Sequence, residues 1–108
     1  ADLVLTATRE HRAAAVMLAP RAARKTFTIR EFDRLLAVVD EQALPTGDVA
    51  LRGQALVTAA AAQRGMVRPD KPGDDDITDP YGGPRSGYVI CADLIAATLE
   101  RPLALLAR

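Results

Sequence analysis

The segment from Asp74 to Gly83 reads Asp-Asp-Asp-Ile-Thr-Asp-Pro-Tyr-Gly-Gly, and it holds the residues best suited to chemistry in this 108-residue chain. Asp79 supplies a carboxyl group. Pro80 biases the residue before it toward an extended backbone and fixes the turn that follows. Tyr81 offers a ring that can pack on an aromatic substrate. Gly82 and Gly83 let the main chain pass close to a ligand. A carboxylic acid serves as a general acid only if it keeps its proton near neutral pH. That requires lifting its pKa from about 3.9, by burial or by nearby negative charge. Asp74, Asp75 and Asp76 lie just upstream, and their charge acts in that direction. Asp, Pro and Gly are also the ordinary residues of solvated turns, so the residue types alone leave both readings open.

Other chemistries find little support. The Asp74–Asp76 run lacks the alternating ligands, central Gly and final Glu of a calcium loop, and reads as a solvated acidic face. No metal site is expected. Cys91 is the single cysteine. It falls on the apolar face of a helical pattern, with Arg85 as the nearest base, so it reads as a buried, inert thiol. His11, the single histidine, sits between Arg9 and Arg12 on an expected helix surface, with no second ligand at helical spacing. One histidine and a Ser86 without nucleophile-elbow context give no serine triad. No glycine-rich phosphate or dinucleotide loop is present, and no cofactor is expected.

Composition narrows the class further. The length suits one domain spanning 1–108. Fourteen basic residues balance fourteen acidic ones, so nothing pulls the chain toward nucleic acid or an anionic membrane. With only two Phe, two Tyr and no Trp, the core must rest on Leu, Val, Ile and many small alanines, which bury little area each. One cysteine excludes an internal disulfide and agrees with a reducing, cytoplasmic setting. No stretch reaches 18 uninterrupted apolar residues.

The elements that must position Asp79 follow from periodicity. Leu3-Val4-Leu5 reads as a buried parallel strand. Thr8 caps a helix over about 9–19, with Ala13, Val16 and Met17 inward. Arg24–Thr28 is a second strand centred on Phe27. Thr28 and Glu31 have capping-box spacing, and Phe32, Leu35, Leu36 and Val39 continue the stripe to about 39. Asp48 caps a third helix to about Gln63, stopped by Gly65. Residues 66–83 form a long loop. A last helix covers about 85–100, with Tyr88, Cys91, Ala92, Ile95 and Leu99 on one face, and Pro102 is expected to kink or end it. Strand–helix alternation predicts α/β with parallel pairing. Two strands are few for a parallel sheet, and the chain opens directly in a strand pattern. Sequence upstream of Ala1 is therefore expected to be missing.

Three segments in this order carry a family resemblance: residues 1–12, beginning Ala-Asp-Leu-Val-Leu-Thr; Thr26-Phe27-Thr28-Ile29-Arg30-Glu31-Phe32; and Asp76-Ile77-Thr78-Asp79-Pro80-Tyr81-Gly82-Gly83. Together they resemble the C-terminal two-thirds of bacterial low-molecular-weight protein tyrosine phosphatases, of the phosphatase or arsenate reductase-like branch. The resemblance implies a partial three-layer parallel sheet with flanking helices, its first strands missing. It implies that Asp79 protonates the leaving phenolate and then activates water to hydrolyse a phosphocysteine. Tyr81 matches one aromatic wall of the substrate cleft. Gly82 stands where many relatives carry a second aromatic, so that wall is lower and the cleft more open. The substrates implied are phosphotyrosine proteins or small aryl phosphates.

The departure is large. The family's nucleophile lies in a Cys-(any five)-Arg loop near the N-terminus, and no such loop occurs in these 108 residues. Cys91 is followed six residues later by Ala97. Without a thiolate, the acid has no reaction to assist, so the chain is expected to be inactive alone. The alternative is a non-catalytic interaction module, or pseudophosphatase, that forms a homodimer or pairs with a complementing chain through a sheet edge or apolar patch. Arsenate reduction requires further redox cysteines and ranks last.

Overall fold

A computed structural model describes residues 3–77 and 85–107, with the main chain alone described for Pro72 and for 85–92. The chain forms β1 (Val4–Thr6), α1 (Arg9–Leu18), β2 (Thr26–Thr28), α2 (Ile29–Leu36), α3 (Val49–Gln63) and α4 (Arg85–Ala107). Short 3-10 segments occupy Pro20–Lys25, Glu41–Ala43 and Pro72–Asp75. The two strands pair in parallel, with Leu5 opposite Phe27 and Thr6 opposite Thr28. This is a small α/β domain in which helices flank a two-stranded parallel sheet.

Helix starts follow the capping chemistry of the sequence. The Thr8 hydroxyl accepts the His11 N–H at 3.1 Å, and Asp48 accepts the Ala50 N–H at 2.9 Å. At α2 the capping box is complete: Glu31 N–H donates to Thr28 Oγ1 at 3.0 Å, and Thr28 N–H donates to Glu31 Oε1 at 3.2 Å. Gly65 has φ +83° just past the end of α3, the left-handed turn that stops a helix at glycine. The β2 strand is shorter than expected, because Pro20–Lys25 curls into a 3-10 segment first.

The core gathers where β2, α2, α3 and α4 meet. Phe27, Phe32, Leu35, Leu36, Leu44, Leu56, Ala60 and Leu105 form one buried cluster. The Phe27 and Phe32 rings lie 5.0 Å apart, tilted by 46°, within the range of favourable aromatic pairs. All of β2 is buried, whereas β1 is only half-buried. The expectation that Leu3-Val4-Leu5 forms a strand covered on both faces is therefore not met, and the fully covered strand is β2. Beside β1 an apolar cleft of 330 Å³ opens, lined by Leu3, Leu5, Phe32, Val49, Leu103 and Leu106 among others.

Two expectations about helices are corrected. The inward face of α1 includes Val16 but not Ala13 or Met17: Ala13 is exposed and Met17 is 82% exposed. The half-buried residues are Arg9, Arg12, Ala15 and Val16. Arg12 turns inward because its guanidinium meets the buried Glu31 carboxylate at 2.7 Å, which rotates the helix by about one residue from the purely apolar stripe. Pro102 does not end α4, which runs on to Ala107. Proline removes one helical hydrogen bond, but Pro102 and Leu105 are buried. Arg52 of α3 donates to the Leu105 carbonyl and, at 2.7 Å, to the Pro45 carbonyl. Arg101 donates to the Asp33 carboxylate of α2 at 3.0 Å. Anchoring on both sides of the proline holds the last turns in place.

Leu35 is fully buried and Leu18 is 90% exposed. Leu35→Ala is expected to cost about 3 kcal/mol in urea unfolding, and Leu18→Ala less than about 0.5 kcal/mol. Equal losses would contradict this placement of the core.

Candidate functional site

Asp79, Tyr81 and Gly82 lie outside the described residues, as do the side chains of Tyr88 and Cys91. What the structure defines is the platform leading to Asp79, and it is built by arginines. Asp76 Oδ1 accepts the main-chain N–H of Arg9, the first residue of α1, at 2.7 Å. The Arg9 guanidinium reaches the same carboxylate through Nε at 3.3 Å and Nη2 at 3.2 Å. The Asp76 carbonyl accepts from Arg30 Nη1 at 3.3 Å. Ile77 then buries its side chain and donates its N–H to the Ala7 carbonyl at 2.8 Å. Ala7 directly follows β1, so the acidic segment returns to the carboxyl end of the parallel sheet.

Asp75 is fixed from another side. Arg34 of α2 grips it with two parallel bonds, Nε to Oδ1 and Nη2 to Oδ2, both 3.0 Å. This fork-to-fork geometry is the strongest form of an arginine–carboxylate pair. The remaining Arg34 nitrogen donates to the Val67 carbonyl at 3.0 Å. Arg30 and Arg34 are one helical turn apart, so one face of α2 holds both Asp75 and Asp76.

These contacts overturn the reading of Asp74–Asp76 as a solvated face. Asp75 is buried, and Asp76 is paired with the start of α1. They also change the electrostatics expected at Asp79. Two of the three upstream charges carry guanidinium partners, so their push on a neighbouring carboxyl is largely cancelled. Hydrogen bonding from the Arg9 side chain outweighs partial desolvation, and with the Arg9 N–H and the charges of Arg9 and Arg12 it holds the Asp76 carboxyl below its ordinary 3.8.

Behind this platform stands a third carboxylate, Glu31, only 5% exposed. Arg12 of α1 meets it at 2.7 Å and Arg64, just past α3, at 3.3 Å. Arg64 also lies over the Phe27 ring, 4.1 Å from its centre, and donates to the Ala23 carbonyl at 2.9 Å and to the Thr26 carbonyl. Its Nε is buried without a hydrogen-bond partner. Burial pushes the Glu31 carboxyl up, but the Arg12 hydrogen bond and the Arg64 and Arg12 charges outweigh it, leaving it below 4.5. Burial pushes Asp33 above 3.8, with Arg101 offsetting part of the effect. His11 is exposed. Among the described residues, no three His, Cys, Asp or Glu side chains are grouped to share a metal ion, and no helix is long and apolar enough to cross a membrane.

Sequence reasoning missed the arginine clamps. Arg9, Arg30 and Arg34 lie 41 to 67 residues from their acidic partners, beyond any local spacing rule. The one usable signal was the i, i+4 spacing of Arg30 and Arg34 in a chain with an otherwise unexplained acidic triplet. Comparison with protein-family models, with curated proteins and with solved structures finds no match.

A carboxyl group whose folded pKa lies below its unfolded value contributes stability above the unfolded value and loses it as pH falls through the folded one. Glu31 and Asp76 act in this sense, and Asp33, displaced upward, acts in the opposite sense. Acidification from neutrality to about pH 3 is expected to lower the urea midpoint. Glu31→Gln is expected to cost about 2 kcal/mol at neutral pH and to flatten this acid dependence. An unchanged acid limb in the variant would contradict the role given to Glu31.

Proposed function

We propose that this chain carries the general-acid part of a low-molecular-weight protein tyrosine phosphatase-like domain. It acts on phosphotyrosine proteins or small aryl phosphates when a phosphate-binding segment with a Cys-(any five)-Arg loop completes it. One observation supports the reading above the rest: the main chain two residues before Asp79 is bonded to Ala7, at the carboxyl end of β1. Open α/β sheets bind ligands in the crevice outside the carboxyl ends of their strands. The acid-bearing segment thus departs from the edge where such a site is built.

In the completed site the thiolate attacks phosphorus and the bond to the aryl oxygen breaks. Asp79 delivers its proton to that oxygen. It then accepts a proton from the water that cleaves the phosphorus–sulfur bond, which regenerates the thiolate. With Asp75 and Asp76 neutralised by arginines, the proton on Asp79 depends on burial under substrate and on the negative charge of the phosphoryl group. Tyr81 supplies a wall for the aryl ring, and Gly82 keeps the opposite side low.

A second reading, a non-catalytic module that self-associates, draws on the apolar cleft beside the half-buried β1, with Val49 and Leu103 exposed at its rim. Sedimentation analysis separates the two. A monomer removes this reading, and a dimer that dissociates on Leu103→Asp favours it.

The phosphatase reading is tested by joining a family strand–loop–helix that carries Cys-(any five)-Arg upstream of Ala1 and assaying an aryl phosphate. Turnover is expected, and Asp79→Ala is expected to lower kcat by about 10²-fold or more. No turnover, or turnover indifferent to Asp79→Ala, would sink the proposal.

A further inference from the structure

Resting on the phosphatase reading, we infer that Asp76 and Arg9 are positioning residues that set where the acid segment leaves the sheet. Asp76 is held at both its carboxylate and its carbonyl. Its Oδ1 takes the Arg9 N–H at 2.7 Å, its two oxygens take the Arg9 guanidinium, and its carbonyl takes Arg30 Nη1 at 3.3 Å. The next residue is pinned by the 2.8 Å bond from Ile77 N–H to Ala7 and by burial of its side chain. Two elements therefore fix one point of the chain: the end of β1 through Ala7, and the first turn of α1 through Arg9.

The Arg9 N–H is one of the donors that a helix leaves unpaired at its start. Thr8 satisfies the N–H of His11 and leaves that of Arg9. Asp76 satisfies it from 67 residues away, and its negative charge lies at the positive end of the α1 dipole. A carboxylate tied to a main-chain donor follows the helix itself, not a side-chain rotamer. Asp79 follows this anchor by two residues, a span of at most about 7 Å, so the anchor bounds the region the acid can reach. A general acid must come within about 3 Å of the leaving oxygen, and a misplacement of about 1 Å can cost about 10²-fold.

Proton delivery matters most when the leaving group is a poor one, and that separates a positioning role from a purely structural one. In the completed protein of the preceding test, kcat/KM, which reports thiolate attack and leaving-group departure but not the later hydrolysis in which Asp79 acts on water, is measured on phenyl phosphate, whose leaving group needs the proton, and on 2,4-dinitrophenyl phosphate, whose leaving group does not. Asp76→Ala is expected to slow phenyl phosphate by about 10²-fold while leaving the dinitrophenyl ester nearly unchanged. Asp76→Asn keeps an oxygen for the Arg9 N–H and loses the ion pair, so it is expected to fall between Asp76→Ala and the unsubstituted protein. It carries the test if the alanine variant does not fold. Asp79→Ala, measured alongside, is expected to show the same selectivity. If it does and the Asp76 variants slow both esters equally or neither, the positioning inference is overturned and the phosphatase reading stands. If Asp79→Ala shows no such selectivity, the reading fails and takes the inference with it.

Discussion

The bond from Asp76 to the first turn of α1 is the constraint on which the course of the acidic segment depends. It joins the end of a long connection to the start of an early helix. Beside it, Ile77 hydrogen-bonds to the residue that follows β1. Without this anchor only the single short 3-10 turn of Pro72–Asp75 would order the end of the connection. With it, the connection is tied to the carboxyl edge of the sheet.

The same solution recurs through the molecule. A chain with few aromatic residues and many alanines has little large apolar surface to bury, and its elements are fastened by guanidinium groups instead. Arg12 and Arg64 bring α1 and the end of α3 onto Glu31 of α2. Arg34 ties α2 to Asp75, and Arg101 ties α4 to α2. Arg52 binds carbonyl oxygens of α4 and of the turn before α3. Exposed pairs of this kind contribute little, but those on Glu31 and Asp75 are buried and hydrogen-bonded on several sides. Removing one partner there leaves an uncompensated charge, which is costly. The core proper remains small and centred on Phe27, Phe32 and Leu35.

Local chemistry was readable before the structure, and long-range chemistry was not. The Thr28–Glu31 capping box, the Asp48 cap, the Gly65 stop and the parallel pairing of two strands all follow from residues close in sequence or from strand–helix alternation. The face of α1 was misread because apolar periodicity gives no weight to an arginine that turns inward, and Arg12 does so to reach Glu31. The end of α4 was misread because proline's local cost was outweighed by burial of Pro102 and Leu105. The acidic triplet was misread for the same reason as α1: its partners lie on distant elements. Asp79 was singled out by its neighbours Pro80, Tyr81 and Gly82, whereas the bond between Arg9 and Asp76, which anchors the segment upstream of it, emerges only from the fold.

The segment before Asp79 is anchored both to the end of β1 and to the first turn of α1. Amide hydrogen exchange read by NMR tests it at two residues. The Ile77 and Arg9 amides should exchange as slowly as amides of α2 such as Leu35, since both are bonded to partners distant in sequence. Exchange as fast as at Gly47, in the exposed turn before α3, would show that the anchor does not form and would contradict the account.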